Sequence, residues 1–174
     1  RELLISQINT AYVRGQVFFE RDILAPQIGR LNVQAFRYDG YVARISSMKS
    51  YFDENMKMLD DANVDALFSA GNPIYTKIRD DNPSRYINGS KAVNIMAADG
   101  CIIEGEVENS ILFRGVKIGM GARVKNCVLM QDTVIEADAG VEYVVTDKNA
   151  TITRGKIIKG TVTFPVYVAK YQIV

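Results

Sequence analysis

The sequence predicts a mainly β protein, a parallel β-helix of 17–18 residues per coil preceded by a small α+β region. The first observation is a repeat of period 17 in the second half. Cys101, Ile118, Ile135 and Ile152 share one phase, and Val107, Val124, Val141 and Ile158 another. A third column holds Ile111, Val128 and Val145, and a fourth the small residues Gly105, Ala122 and Ala139. The second observation is the spacing within a period. Apolar positions fall six, six and five residues apart, as in Ile118, Val124, Met130 and Ile135. Such spacing predicts a three-sided coil whose short strands each send one residue into a shared core. One coil cannot bury its apolar face alone, so coils must stack. The third observation is that the first half lacks this repeat and instead mixes helical and alternating stretches.

Residues 1–28 read as mainly helical, with apolar positions at Leu3, Leu4 and Ile8 and then at Val17, Phe18, Ile23 and Leu24. Gly15, Pro26 and Gly29 punctuate them. The alternation Leu31, Val33, Ala35 predicts a strand running through Phe36 and Tyr38 to Gly40, and Tyr41, Val42 and Ile45 a second extended stretch. Ser46 or Ser47 is placed to cap a helix whose apolar face is Met48, Tyr51, Phe52, Met56 and Leu59, ended by Asp60-Asp61-Ala62-Asn63. Residues 73–89, with Pro73 and Pro83, read as a connector between a first region, 1–72, and the β-helix, 90–174. The tail from Val162 is strand-like, and Pro165 suits an edge. It can cover one open end of the coil or pair with another subunit.

Apolar residues at 48% suffice for a sizeable core, and a net charge of +1 gives no case for nucleic acid or a membrane surface. No run of 18 apolar residues and no signal-peptide pattern occurs. The chain begins at Arg1, in mid-pattern, and reads as a fragment of a longer protein. Cys127 shares its phase with Ser110 and Val144 and stands 26 residues from Cys101, on a different side of the coil. Two reduced, structural thiols fit a cytoplasmic protein.

The repeat resembles the left-handed parallel β-helix of the hexapeptide-repeat family. Many members are acyltransferases and others zinc carbonic anhydrases, and both use histidine. This chain has none. It therefore offers no imidazole as general base or zinc ligand, and both chemistries are improbable for it.

A second resemblance rests on other residues. Asp22-Ile23-Leu24, Gly40-Tyr41 and Ser50-Tyr51-Phe52-Asp53-Glu54-Asn55-Met56 look like the end of a sugar-nucleotide pyrophosphorylase domain. Pro73-Ile74-Tyr75-Thr76 and Pro83-Ser84-Arg85-Tyr86 continue the match. So do Val107-Glu108-Asn109-Ser110, Phe113-Arg114-Gly115-Val116 and Tyr143-Val144-Val145-Thr146-Asp147-Lys148-Asn149. Together they resemble bacterial glucose-1-phosphate adenylyltransferase, or ADP-glucose pyrophosphorylase. That resemblance makes the first region a remnant of a nucleotidyltransferase domain.

Two departures qualify the resemblance. The family's glycine-rich loop, Gly-Gly-x-Gly-x-Arg-Leu, which holds nucleotide phosphates on backbone N–H groups, does not occur here. Catalytic members also carry Trp-x-Asp-Val-Gly-Thr, whose Asp stands seven residues before the Tyr and binds magnesium. Counting back from Tyr51 gives Arg44, a permanent cation. The departures point to the non-catalytic, regulatory subunit of the same enzyme in glycogen biosynthesis. This fragment is expected to be inactive and to carry no catalytic residue, metal site or cofactor, with magnesium confined to catalytic relatives. The implied partner is a catalytic ADP-glucose pyrophosphorylase subunit, in a hetero- or homo-oligomer, with neither nucleic acid nor membrane involved.

Effectors of this family are phosphorylated sugars, and Arg114, Lys117 and Lys148 are the candidates to bind one. Arg114 and Lys148 lie in one column two coils apart, with Gln131 between them. The plainer reading is solvated coil corners, since acidic residues interleave. Two other functional readings stay open. One is the C-terminal part of an active adenylyltransferase whose chemistry lies elsewhere. The other is a stand-alone β-helix module that binds a sugar phosphate or a protein.

Overall fold

The computed structural model describes residues 1–69, 71, 73–76 and 79–174. Residues 70, 72, 77 and 78, which fall in the expected first region and connector, lie outside the described residues. The chain divides into two compact units, Arg1–Asp39 and Gly40–Val174.

In the first unit, helix α1 spans Glu2–Val13, followed by a π-helical turn at Phe19–Leu24 and a 3-10 turn at Ala25–Gln27. Asp22 organises the second turn. Its carboxylate accepts from the N–H groups of Val17 and Phe18 at 3.2 and 3.0 Å and pairs with Arg21 at 2.7 Å. The hydrogen bond from Arg21, then that from Phe18, pulls its pKa down to about 2. The strands expected between Leu31 and Ile45 do not form; the backbone there is irregular. Phe36, Tyr38, Val42 and Ile45 are all exposed. Alternation alone does not make a strand when no neighbouring strand satisfies its N–H and C=O groups.

In the second unit, Ser47 caps helix α2, Met48–Met56, through a reciprocal capping box with Ser50. The helix tightens into a 3-10 turn at Lys57–Leu59. Asp60 does not simply end it. Its carboxylate accepts from Ala62 N at 3.0 Å and starts a further helix, α3, Asp61–Leu67. An Asp beside orphan N–H groups serves as a start as readily as a stop.

The rest is a parallel β-solenoid of about four turns. One sheet stacks β1 (Arg85–Tyr86), β3 (Ile102–Ile103), β5 (Lys117–Ile118), β8 (Val134–Ile135) and β11 (Thr151–Ile152) in that order. The other strands form a second, bent sheet. Its first flank holds β2 (Lys91–Ala97), β4 (Glu106–Leu112), β6 (Arg123–Lys125), β9 (Gly140–Glu142) and β12 (Ile157–Lys159). The long strands β2 and β4 run on into the second flank with β7 (Val128–Leu129), β10 (Val144–Thr146) and β13 (Val166–Val168). All pairings are parallel, which gives three sides per coil. The tail supplies β13, and buried Pro165 precedes it.

Register confirms three of the four columns and corrects one. Val107, Val124, Val141 and Ile158 stack, as do Ile111, Val128 and Val145. Above Ile118, however, stands Ile103 and not Cys101. The turn between β3 and β4 is two residues shorter than its counterparts, so the offset there is 15, as in Lys91↔Glu106 and Lys117↔Ile102. Gly105 sits in that short turn, where a Cβ would meet the Ala122 carbonyl oxygen at 2.4 Å. The inward residue of the third side is Leu129, while Met130 is half-buried. Both cysteines are buried and free.

Three corner columns adopt positive φ: Asn94, Asn109, Asn126 and Tyr143; Gly100, Gly115, Asp132, Asn149 and Tyr171; and Gly121, Asp138 and Gly155. Gly, Asn and Asp tolerate this left-handed conformation best, which is why they mark the corners. Tyr143 and Tyr171 are the bulky exceptions. The Tyr143 ring lies 6.1 Å from that of Phe52 on α2.

Candidate functional site

The coil has two kinds of surface. One flank, outside β4, β7 and β10, is apolar and is covered by α2. Phe52 is buried there with Val128 and Val145, flanked by Tyr51, Met56, Phe113 and Tyr143. The Ile111–Val128–Val145 column therefore faces outward, onto a helix. Tyr41 donates to Glu54 at 2.6 Å, and Lys57 holds the same carboxylate, so the stretch before α2 is tied to the helix. The motif Ser50–Met56 thus acts first as a docking helix.

The opposite flank is a charge ladder. Glu108, Lys125, Glu142 and Lys159 follow one another up the coils, with ion pairs Lys125–Glu108 at 3.1 Å and Lys159–Glu142 at 3.4 Å. Lys91–Glu106 at 3.1 Å and Arg154–Asp138 at 3.0 Å add to it. Each exposed pair contributes at most about 1 kcal/mol. These four cations are each paired with a neighbouring carboxylate.

The structure brings two of the three candidate effector residues together. Arg114, Gln131 and Lys148 line one groove of 480 Å³ with Thr76, Ala98, Phe113 and Met130. Their column is held by backbone bonds from Gly115 N to Asp99 O, Asp132 N to Arg114 O and Asn149 N to Gln131 O. Lys117 is elsewhere: it lies on the exposed face of β5, between Ile102 and Val134, and does not line the groove. Arg44 is exposed in the irregular stretch before α2 and does not line this groove.

The groove joins apolar walls, Phe113 and Met130, to a basic rim, a form that suits a small anion with an apolar body. Asp147 sits next to Lys148 and is already satisfied. It accepts from Lys148 N at 2.6 Å and from the Tyr167 hydroxyl at 3.1 Å, and that hydrogen bond raises the Tyr167 pKa.

Sequence reading missed three charged residues near the rim. Lys170 continues the column, since Tyr171 N donates to Lys148 O, but an offset of 22, as in Val144↔Val166, hides it from a 17-residue count. Arg79 and Asp81 precede the repeat. Asp81 Oδ1 accepts from Arg79 Nη2 at 3.0 Å, and its Oδ2 lies 3.8 Å from Arg114 Nε. Neither thiol is a nucleophile: burial pushes Cys127 up to about 12 and raises Cys101 as well. Among the described residues no group of three or more His, Cys, Asp or Glu is placed to hold a metal, and no helix is long and apolar enough to cross a membrane.

Residues 77–161 match a protein-family model described as GlmU-like, C-terminal hexapeptide, which fits the left-handed hand of β-helix. The chain is 38% identical over 140 residues to the glycogen biosynthesis protein GlgD of Bacillus subtilis, covering 80% of this chain and 41% of that protein. It is 49% identical over 70 residues to GlgD of Geobacillus stearothermophilus, 40% of this chain and 20% of that one. Glucose-1-phosphate adenylyltransferase of Geobacillus stearothermophilus is 35% identical over 122 residues, 68% of this chain and 31% of that protein. The chain thus spans about two fifths or less of each of these relatives. In sequence the protein is similar to GlgD and to the glucose-1-phosphate adenylyltransferases, and its hexapeptide match falls on the β-helix.

Proposed function

We propose that this chain is part of a GlgD-like, non-catalytic subunit that serves glycogen biosynthesis by assembling with a catalytic ADP-glucose pyrophosphorylase and modulating it. The observation that carries this reading is the similarity to GlgD over four fifths of the chain. Arg44, where the resemblance expects a magnesium-binding carboxylate, supports the non-catalytic part. A guanidinium repels a divalent cation, and metal-assisted phosphoryl transfer depends on charge neutralisation at that point. The β-helix is the assembly element, and the work takes place in the cytoplasm.

The Arg114–Lys148 groove is the effector site in this reading. Its two basic side chains receive the phosphate of a sugar phosphate, and Phe113 and Met130 take the carbon skeleton. Lys117 lies outside this groove and contributes at most long-range charge.

The test mixes the protein containing this chain with a catalytic subunit and measures pyrophosphate release from ATP and glucose 1-phosphate. The expected result is negligible turnover alone, a complex on gel filtration, and a changed rate or effector response when combined. Strong turnover by this protein alone overturns the non-catalytic reading. Absence of a complex overturns the subunit reading.

A further inference from the structure

The groove carries its own competitor. Asp81 Oδ2 is buried and accepts no hydrogen bond among the described residues, although Arg114 Nε is 3.8 Å away. That distance lies outside hydrogen-bonding range. The other oxygen of the same carboxylate is held by Arg79 at 3.0 Å. The Arg114 side chain in turn makes no hydrogen bond among the described residues, and two thirds of it is buried, at 33% exposure. A buried carboxylate oxygen and a guanidinium therefore face each other with the bond between them unmade. Leaving such an oxygen unsatisfied is costly, whereas a bidentate guanidinium–phosphate bond is among the stronger contacts a protein forms.

We infer that Asp81 is an internal counter-anion that occupies Arg114 in the empty groove and competes with an incoming phosphate for it. The inference rests on the groove being an anion site, and it adds what sets the threshold of that site. With Asp81 in place, the Arg79–Asp81–Arg114 group carries a single net positive charge, and Lys148 supplies the second across the groove. A ligand of low charge does not displace Asp81. A phosphate does, because it pairs with Arg114 and Lys148 together. Arg79 holds the displaced carboxylate through its other oxygen, so the exchange needs no unfolding of the coil.

The experiment titrates this chain with inorganic phosphate at fixed ionic strength, following amide chemical shifts of Gly115 and Lys148. Wild type, Asp81→Asn, Asp81→Ser, Lys148→Gln, Arg114→Gln and the double variant Asp81→Asn with Arg114→Gln are compared, each first shown to melt as a folded protein. Removing the Asp81 charge is expected to tighten phosphate by up to about fivefold, the scale of a partly exposed ion pair. That gain disappears in the Arg114→Gln background, and Lys148→Gln weakens binding relative to wild type. If phosphate binds in a Lys148-dependent way but both Asp81 variants bind no tighter, Asp81 is no competitor while the groove remains an anion site. If the Asp81 gain survives without Arg114, it arises from general surface charge and the inference is overturned. If no variant binds phosphate at the groove, the anion site and its competitor both fall.

Discussion

Residues 31–38 and 106–112 carry comparable apolar alternation, yet only the second stretch is a strand. In the first, Val33, Phe36 and Tyr38 are exposed along an irregular backbone. In the second, Val107, Ile111 and Leu112 are buried within β4, which has parallel partners on both sides. The local pattern does not differ enough to explain this. The repeat does: residues 15 or 17 positions away offer matching strands on both sides of β4, and nothing 17 positions from Leu31 does so. Alternation becomes structure when periodicity supplies the partner.

The strongest way to break the comparison is a charge in each stretch. Val124→Asp removes a buried side chain worth roughly 1.5–3 kcal/mol and leaves an unpaired carboxylate in the coil. The expected outcome in thermal melting is loss of the coil's cooperative transition. Val33→Asp, on an exposed position, is expected to shift that melt by less than a degree or two. Equal effects would mean that the inward phase is misassigned.

The next effect concerns the covered flank. Phe52→Ala empties the contact with Val128, Val145 and Tyr143 and is expected to cost about 3 kcal/mol. The loss should be local: helical circular dichroism falls while the β signal of the coil persists. A coil that melts together with the helix would show that α2 is a structural part of the coil and not a cover.

A smaller effect sharpens the corner rule. Gly155 has φ +70° with open space where a Cβ would stand, so Gly155→Ala pays for the left-handed backbone alone, about 1 kcal/mol. Gly155→Asn should cost less, because Asn already occupies neighbouring corners at Asn126 and Asn149. Chemical denaturation of the two variants separates these outcomes, and an equal cost would place the penalty in contacts and not in φ.

The smallest effect lies in the first unit. Asp22 has a folded pKa of about 2, below its unfolded value, so its stabilising contribution is complete above the unfolded value of about 4. It is lost as pH falls from there through about 2. Asp22→Asn is expected to lower the stability of the turn at Phe19–Leu24 at neutral pH, with an effect that shrinks as pH falls from about 4 and vanishes only below about 2. Amide exchange at Val17 and Phe18, which donate to Asp22, reads this directly.

The sequence by itself determined the three-sided coil, three of its four columns, a serine cap at Ser46 or Ser47 and the shared column of Arg114 and Lys148. Each follows from a local rule or a constant period. It could not see the two-residue shortening at Glu104-Gly105, because Cys101 and Ile103 are both apolar and either fits an inward phase. For the same reason it could not separate Leu129 from Met130. Nor could it tell that Ile111, Val128 and Val145 face outward, since an outer column under a helix is as apolar as an inner one. Tertiary structure alone decided that Lys117 stands apart from Arg114, and that Asp81, from a segment before the repeat, faces Arg114. Both depend on which side of the coil a residue reaches. That is set by the summed lengths of the turns before it, not by its own neighbours in the chain.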